Sequence, residues 1–217
     1  MKDRREQLLD VAQDIIQRRG YNAFSYQDLC NRVHIRKASI HHHFPKKEDI
    51  GLALIKRYTE KFSEIIHNIP AEHTSPRAQI EAYCYLFDYT LSSSNYEKLC
   101  LGGIMGAELL TLPKTIHRAI AEFCRVNEEW LKEVIQTGIT QGVFKPETDP
   151  DNMARLIFSS LEGAMLAARI EGREEYVRQV VQQFRDLLYI KPSRATAPRQ
   201  KRPKTGVTAQ RRTRSAK

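Results

Sequence analysis

The sequence predicts an all-α protein of about nine helices, in which an N-terminal helix-turn-helix domain precedes a larger helical domain. Two observations support this fold class. Apolar residues recur at helical spacing through most of residues 3–190, and no segment shows a sustained two-residue alternation. Glycine or proline stands where these periodic segments end, at Gly20, Pro45, Pro113 and Gly142.

The first predicted helix runs from about Asp3 to Arg19. Leucine, alanine and isoleucine recur every three or four positions along it and form one apolar face. Gly20 is predicted to end this helix, because glycine readily adopts the left-handed conformation that follows many helices.

Residues 25–50 predict two short helices joined by a tight turn, the pattern of a helix-turn-helix. Ser25 stands three residues before an aspartate, which is the spacing of a capping box at the start of the first helix. The second helix runs from about Lys37 to His43, and Pro45 ends it because proline lacks an amide donor. Its outer face is polar and cationic, which suits the major groove of DNA better than a core.

Ten residues are candidate DNA contacts, because each combines a polar or cationic side chain with a helix start or an outer helix face. Lys37 and Ser39 are expected to reach base edges, whereas Lys47 is expected to contact phosphate. The alternative is an ordinary solvated charged face. The full set is Arg4 and Arg5 in a basic arm, Ser25, Tyr26 and Gln27 at the first helix, Lys37, Ser39, His41 and His42 in the second, and Lys47 after it.

The later helices are predicted from the same periodicity. A long helix leads from the helix-turn-helix to Pro70, and it is the only evident link between the two domains. Five helices follow, at about residues 76–92, 97–110, 114–141, 150–171 and 173–188.

Charge divides the chain into three parts. Residues 191–217 hold 10 of the 35 lysines and arginines and none of the 26 acidic residues, so we expect a disordered basic tail. Residues 1–61 hold 13 basic and 8 acidic residues, which gives a charge of +5. Residues 62–190 hold 12 basic and 18 acidic residues, which gives a charge of −6. A basic head suits phosphate, and an acidic body suits another ligand. The predicted domains are residues 1–47, 48–190 and 191–217.

The stretch from Arg4 to about Lys61 resembles the DNA-binding region of the tetracycline-repressor (TetR) family. The resemblance lies in the sequence KASIHHHFPKKEDI at residues 37–50. Two residues depart from the family pattern: His34 replaces the usual glycine of the turn, and His41 replaces the usual tyrosine of the second helix.

Residues 98–113 form the unusual part of the second domain, with glycine at positions 102, 103 and 106. Each glycine weakens a helix by about 1 kcal/mol relative to alanine, so close packing or movement must compensate. Cys100 follows Lys98, so we hypothesise a reactive thiolate; the alternative is a small buried apolar residue. The candidate effector-binding residues are Tyr83, Phe87, Cys100, Met105, Glu108 and Trp130, for which the alternative is plain core.

The last two predicted helices are candidates for a dimer interface, because small residues between positions 163 and 168 permit close helix approach. The resemblance implies that they pair with their copies in a second chain as a four-helix bundle. The candidate interface residues are Met153, Ile157, Ala164, Ala168, Val177, Val180 and Phe184.

Together these features predict a homodimeric, cytoplasmic regulator that binds double-stranded operator DNA and is released by an unidentified small-molecule effector. The alternatives are a DNA-binding architectural protein without an effector and, less favoured, a helical enzyme. No converging catalytic groups, membrane span or cofactor site are evident in the sequence. The adjacent histidines 41–43 point about 100° apart on a helix and cannot share one metal ion.

Overall fold

The computed structural model describes residues 3–190; the tail from residue 191 onward lies outside that range, as do residues 1 and 2. Nine α-helices and one short 3₁₀ turn, Leu109–Thr111, make up this part of the chain, and no strand is present in it. The helices are α1 (Arg4–Arg19), α2 (Tyr26–Val33), α3 (Lys37–His43), α4 (Lys47–Glu72), α5 (Pro76–Ser92), α6 (Leu101–Ala107), α7 (Lys114–Thr140), α8 (Pro150–Glu171) and α9 (Tyr176–Leu188). The predicted all-α fold is confirmed.

Helix α4 joins the head, made of α1 to α3, to the body, made of α5 to α9. Its first half packs in the head through Ile50 and Leu54, and its second half packs in the body through Ile66 and Ile69. The helix was predicted to end at Pro70. It continues to Glu72 instead, because a proline in the last turn removes only one backbone hydrogen bond.

A buried arginine fastens α4 to α1. The Nη1 atom of Arg57 lies 2.8 Å from the carboxylate of Glu6 and 3.0 Å from that of Asp10. Its side chain is only 9 % exposed, so the two carboxylates provide the compensation that a buried charge requires.

The body core is a cluster of aromatic rings between α4, α5 and α7. Phe62 lies edge-on to Phe87 and Phe123, and Tyr83 stacks on Trp130 with 5.4 Å between ring centroids. Such edge-to-face and stacked arrangements match the quadrupoles of the rings.

The glycines of α6 allow this helix to lie close to α7 and α8. A Cβ atom at Gly102 would lie 2.3 Å from the ring of Phe123, and one at Gly103 would lie 2.1 Å from a carboxylate oxygen of Glu162. Close packing therefore explains two of the three glycines. Nothing lies nearer than 3.9 Å to the corresponding position at Gly106.

Candidate DNA-binding head and its junction with the body

Helix α2 begins with the predicted capping box. The backbone and hydroxyl groups of Ser25 donate to the carboxylate of Asp28 at 2.8 and 2.6 Å. These hydrogen bonds lower the pKa of Asp28, and the bond from the Ser25 hydroxyl has the largest effect. The turn after α2 places His34 in the left-handed region, at φ 56° and ψ 46°. Glycine is favoured there, but histidine tolerates this conformation better than a β-branched residue does.

Helix α3 presents its polar side chains to solvent and only one apolar side chain to the core. Lys37, Ser39, His41 and His42 are exposed, whereas Ile40 is fully buried. The Nδ1 atom of His41 also lies 3.1 Å from the carbonyl oxygen of Pro45, at the far end of the helix. Lys37 and Ser39, by contrast, extend into solvent from the first turn of α3.

The structure corrects the expected position of three of the proposed contacts. Tyr26 is buried and its hydroxyl donates to the carbonyl of Phe44 at 2.7 Å, so its side chain holds the head together. Arg4 and Arg5 belong to the first turn of α1 and not to a free arm. The guanidinium of Arg5 lies 5.1 Å from the centre of the Phe44 ring. Phe44 therefore brings the start of α1, the start of α2 and the end of α3 to one surface.

The fourth correction concerns Lys47. Its ammonium group lies 4.6 Å from the centre of the Tyr21 ring and 3.3 Å from the carbonyl oxygen of Asn22. Burial lowers the pKa of Lys47. This lysine is therefore largely occupied within the head, whereas Gln27 and Ser25 are exposed on the same side of α2.

The head rests on the body through hydrogen bonds between the end of α1 and the segment around α6. Glu108 accepts from the backbone amides of Tyr21 at 2.7 Å and Asn22 at 3.1 Å. Gln17 donates through Nε2 to the carbonyl of Leu99 at 2.9 Å and accepts from the amide of Leu99 at 3.1 Å. Movement of α6 would therefore displace the last turn of α1 directly.

A cleft of about 510 Å³ opens at this junction, between the end of α1, α6 and α8. Its walls are mostly apolar, and charged residues contribute to its lining. The lining includes Leu99, Gly103, Ile104, Glu162, Leu166 and Arg169. A recess of about 580 Å³ also lies between α4 and α7, but charged side chains such as Lys56, Glu60 and Arg118 form much of its lining.

Glu162 is the unusual ionisable group of the cleft. Its Oε1 atom is buried and has no hydrogen-bond partner among residues 3–190. Burial raises the pKa of Glu162 to about 7, and a hydrogen bond with the thiol of Cys100 partly opposes this shift.

Comparison with known proteins identifies the family. The model described as "Bacterial regulatory proteins, tetR family" matches residues 8–54, and the model described as "Tetracyclin repressor-like, C-terminal domain" matches residues 76–184. The chain belongs to the TetR family. It is accordingly a DNA-binding transcriptional regulator.

Relatives cover nearly the whole structure. A TetR transcriptional regulator from Legionella pneumophila is 32 % identical, with a TM-score of 0.77 over 86 % of this chain and 97 % of that one. A TetR-family regulator from Agrobacterium tumefaciens is 28 % identical, with a TM-score of 0.81 over 84 % and 96 %. The HTH-type transcriptional repressor DhaR from a Mycobacterium species is 25 % identical over 81 % of this chain and 87 % of its own length.

The structure of this TetR-family protein places most of the proposed effector residues outside the cleft. Tyr83, Phe87, Met105 and Trp130 are at most 4 % exposed and lie in the packed core, outside the lining of the cleft. Their helical spacing indicated core, which was the alternative. Glu108 does line the cleft, although the amides of the head already occupy its carboxylate.

The surroundings of Cys100 do not favour the hypothesised thiolate. The thiol is buried, and this burial raises its pKa well above the ordinary value, with the Glu162 carboxylate adding to the effect. Lys98 does not stabilise a thiolate, because its ammonium group pairs with Asp14 at 2.7 Å. Cys100 is therefore a small core residue that contacts Glu162 and Tyr58.

The proposed dimer residues pack within the single chain. Met153 and Val180 are partly buried and pack on the core of their own chain. The other five are at most 4 % exposed and face inward: Ile157, Ala164, Ala168, Val177 and Phe184. The solvent-facing side of α8 instead carries Leu156, Gly163, Leu166 and Ile170. Both sides of α8 are apolar, so periodicity alone could not show which side packs inward and which faces solvent.

No helix within residues 3–190 is long and apolar enough to cross a membrane.

The pH dependence of folding is expected to reveal Glu162. Because its pKa in the folded chain is about 7 and its ordinary value is 4.5, the folded chain keeps a proton that the unfolded chain loses between these pH values. Stability from this group is complete below pH 4.5 and declines as pH rises to 7, by about 3 kcal/mol.

Urea unfolding between pH 5 and pH 8 measures this decline. Glu162→Gln should remove most of it and gain stability relative to the wild type at pH 8. The exposed Glu133→Gln variant is the matched control. Equal pH profiles for Glu162→Gln and the wild type would show that Glu162 is ordinarily ionised.

Proposed function

We propose that this protein is a homodimeric repressor, which a small molecule bound in the cleft releases from its operator. The observation that supports this most is the position of the cleft, whose walls come from both α1 of the head and α6 and α8 of the body. An occupant contacts both parts and can favour one arrangement of the head over another. Curated relatives such as DhaR are named repressors.

The alternative of an architectural protein without an effector depended on a body with no cavity. The cleft at the junction of head and body offers an effector site and so favours the effector-responsive function. The glycine-containing α6 forms one wall, and its neighbours Leu99 and Glu108 bond to the end of α1. A ligand that binds beside α6 therefore affects the position of the head through a single layer of contacts.

A second copy of the chain is proposed to cover the exposed face of α8. Leu156, Gly163, Leu166 and Ile170 recur at spacings of three, four and seven along it, as in a helical interface. A Cβ atom at Gly163 would meet nothing within 4 Å among residues 3–190, so this position leaves room for a partner helix. Pairing through this face places two heads in one molecule, and their separation must match successive major grooves about 34 Å apart.

The DNA-binding role of individual residues is tested on an operator selected from random DNA by the full-length chain. Lys37→Ala and Ser39→Ala are expected to cost about 1–3 kcal/mol and to relax the preferred sequence, because α3 is the helix proposed to read bases. Arg4→Ala is expected to weaken all sequences equally and to reduce the salt slope by about 0.9.

Lys61→Ala provides the matched control, since it removes an exposed cation from the middle of α4. Binding is measured by fluorescence anisotropy over a range of salt concentrations and operator variants. If Lys37→Ala and Arg4→Ala had the same effect on every sequence, the division between base and phosphate contacts would be wrong.

A further inference from the structure

Arg169 differs from the other two arginines at the cleft. Arg18 pairs with Asp14, and Arg19 pairs with Asp28. Arg169, on α8, has no carboxylate within 4 Å among residues 3–190, and its Nη2 atom donates to the backbone carbonyl of Arg18. Guanidinium has five N–H donors in a planar fork that matches a carboxylate, so most of this binding capacity is unused.

The surroundings of Arg169 are those of a binding site for an apolar molecule with one charged end. Leu99 and Ile104 supply apolar walls, and Gly103 allows the carboxylate of Glu162 to lie close to α6. Glu162 lies seven residues before Arg169 on the same helix, about 10 Å away at 1.5 Å per residue. The cleft can therefore accommodate a short carbon chain along its length.

We infer that the cleft binds a small organic acid whose carboxylate pairs with Arg169 and whose apolar chain lies against Leu99 and Ile104. This inference rests on the proposed function and specifies the chemical class of the effector. An organic cation is less suitable, because Glu108 is already occupied by two amides of the head and three arginines line the cleft. Glu162 in its protonated form does not repel the anion and can donate a hydrogen bond to a polar group on the chain.

The contact between Arg169 and the Arg18 carbonyl makes this site able to act on the head. The carbonyl lies in the last turn of α1, where a cation is favoured by the helix dipole. A carboxylate is a stronger acceptor than a backbone carbonyl, and it also neutralises the guanidinium. Binding of the acid thus weakens the contact from α8 to α1 and releases the end of α1 from the body.

The probes are straight-chain carboxylic acids from propionate to octanoate, with the primary amide and the primary amine of each length as controls. Binding to the full-length protein is measured by titration calorimetry, and release by anisotropy of the selected operator. Carboxylates of one length range are expected to bind and release the operator, and the amides to bind about tenfold more weakly.

Arg169→Gln is expected to weaken carboxylate binding about tenfold and to leave amide binding unchanged. Arg155→Gln, an exposed arginine elsewhere on α8, is the matched control and should bind like the wild type. Circular dichroism confirms that both variants fold.

Three results would overturn the inference. The first is carboxylate binding that is equal in Arg169→Gln and the wild type. The second is the absence of carboxylate binding at every chain length. In the third, amines or amides release the operator and carboxylates do not; the proposed function would then stand while the organic acid is rejected. Carboxylates that bind through Arg169 without releasing the operator would support the site and contradict the repressor mechanism.

Discussion

Aspartate at Leu156 or Ile170 is expected to convert the dimer into folded monomers and to reduce operator affinity by more than 100-fold, or about 3 kcal/mol. The two side chains are 42 % and 74 % exposed in a single chain, so the substitution leaves the monomer core intact. In the proposed dimer each is covered by the partner helix, and an unpaired charge there loses its hydration without compensation. A monomer also presents only one head to an operator with two half-sites.

The matched control is Leu110→Asp, because Leu110 is 98 % exposed in the turn between α6 and α7, away from the α8 face. Light scattering measures the mass, and circular dichroism establishes that the helices are retained. Dimers of unchanged stability in both Leu156→Asp and Ile170→Asp would place the interface on another surface.

Alanine at Gly102 is expected to destabilise the protein by about 2–3 kcal/mol, although alanine is the better helix former. The new Cβ atom would lie 2.3 Å from the ring of Phe123, which is itself fully buried between α4, α7 and α8. Either the ring leaves its position or α6 moves away from α7, and both changes reduce the packing of the core.

Gly106→Ala is the control on the same helix, since the nearest atom to its new Cβ would be 3.9 Å away. It should stabilise the protein by about 0.5–1 kcal/mol through helix propensity alone. Urea unfolding of both variants gives the two free energies. Equal values would mean that α6 does not depend on close contact with Phe123.

The head could be predicted almost completely from the sequence, because its signals are local. The capping box at Ser25 and the end of α3 before Pro45 each depend on residues within one or two helical turns. Tyr26 was misassigned although the signal was present. It stands three and seven residues before Leu29 and Val33, which is the spacing of the buried face of α2.

The helices of the body could be predicted from the sequence, but the positions of its binding surfaces could not. The residues alone indicate that α8 is apolar and contains small residues, that α6 is rich in glycine, and that Glu108 needs a partner. Packing against α7 and α9 is what turns Ile157 inward and Leu156 outward, because both sides of α8 are apolar and either could have been buried.

The cleft likewise depends on contacts between residues distant in the chain. Arg169 meets Arg18 across 151 positions, and Glu108 meets Tyr21 across 87. Periodicity reports which faces of a helix are apolar, but it carries no information about which helix lies opposite. The thiol of Cys100 shows the same dependence: its neighbour Lys98 in sequence pairs with Asp14, and its neighbour in space is Glu162, so burial raises its pKa where the sequence alone suggested the reverse.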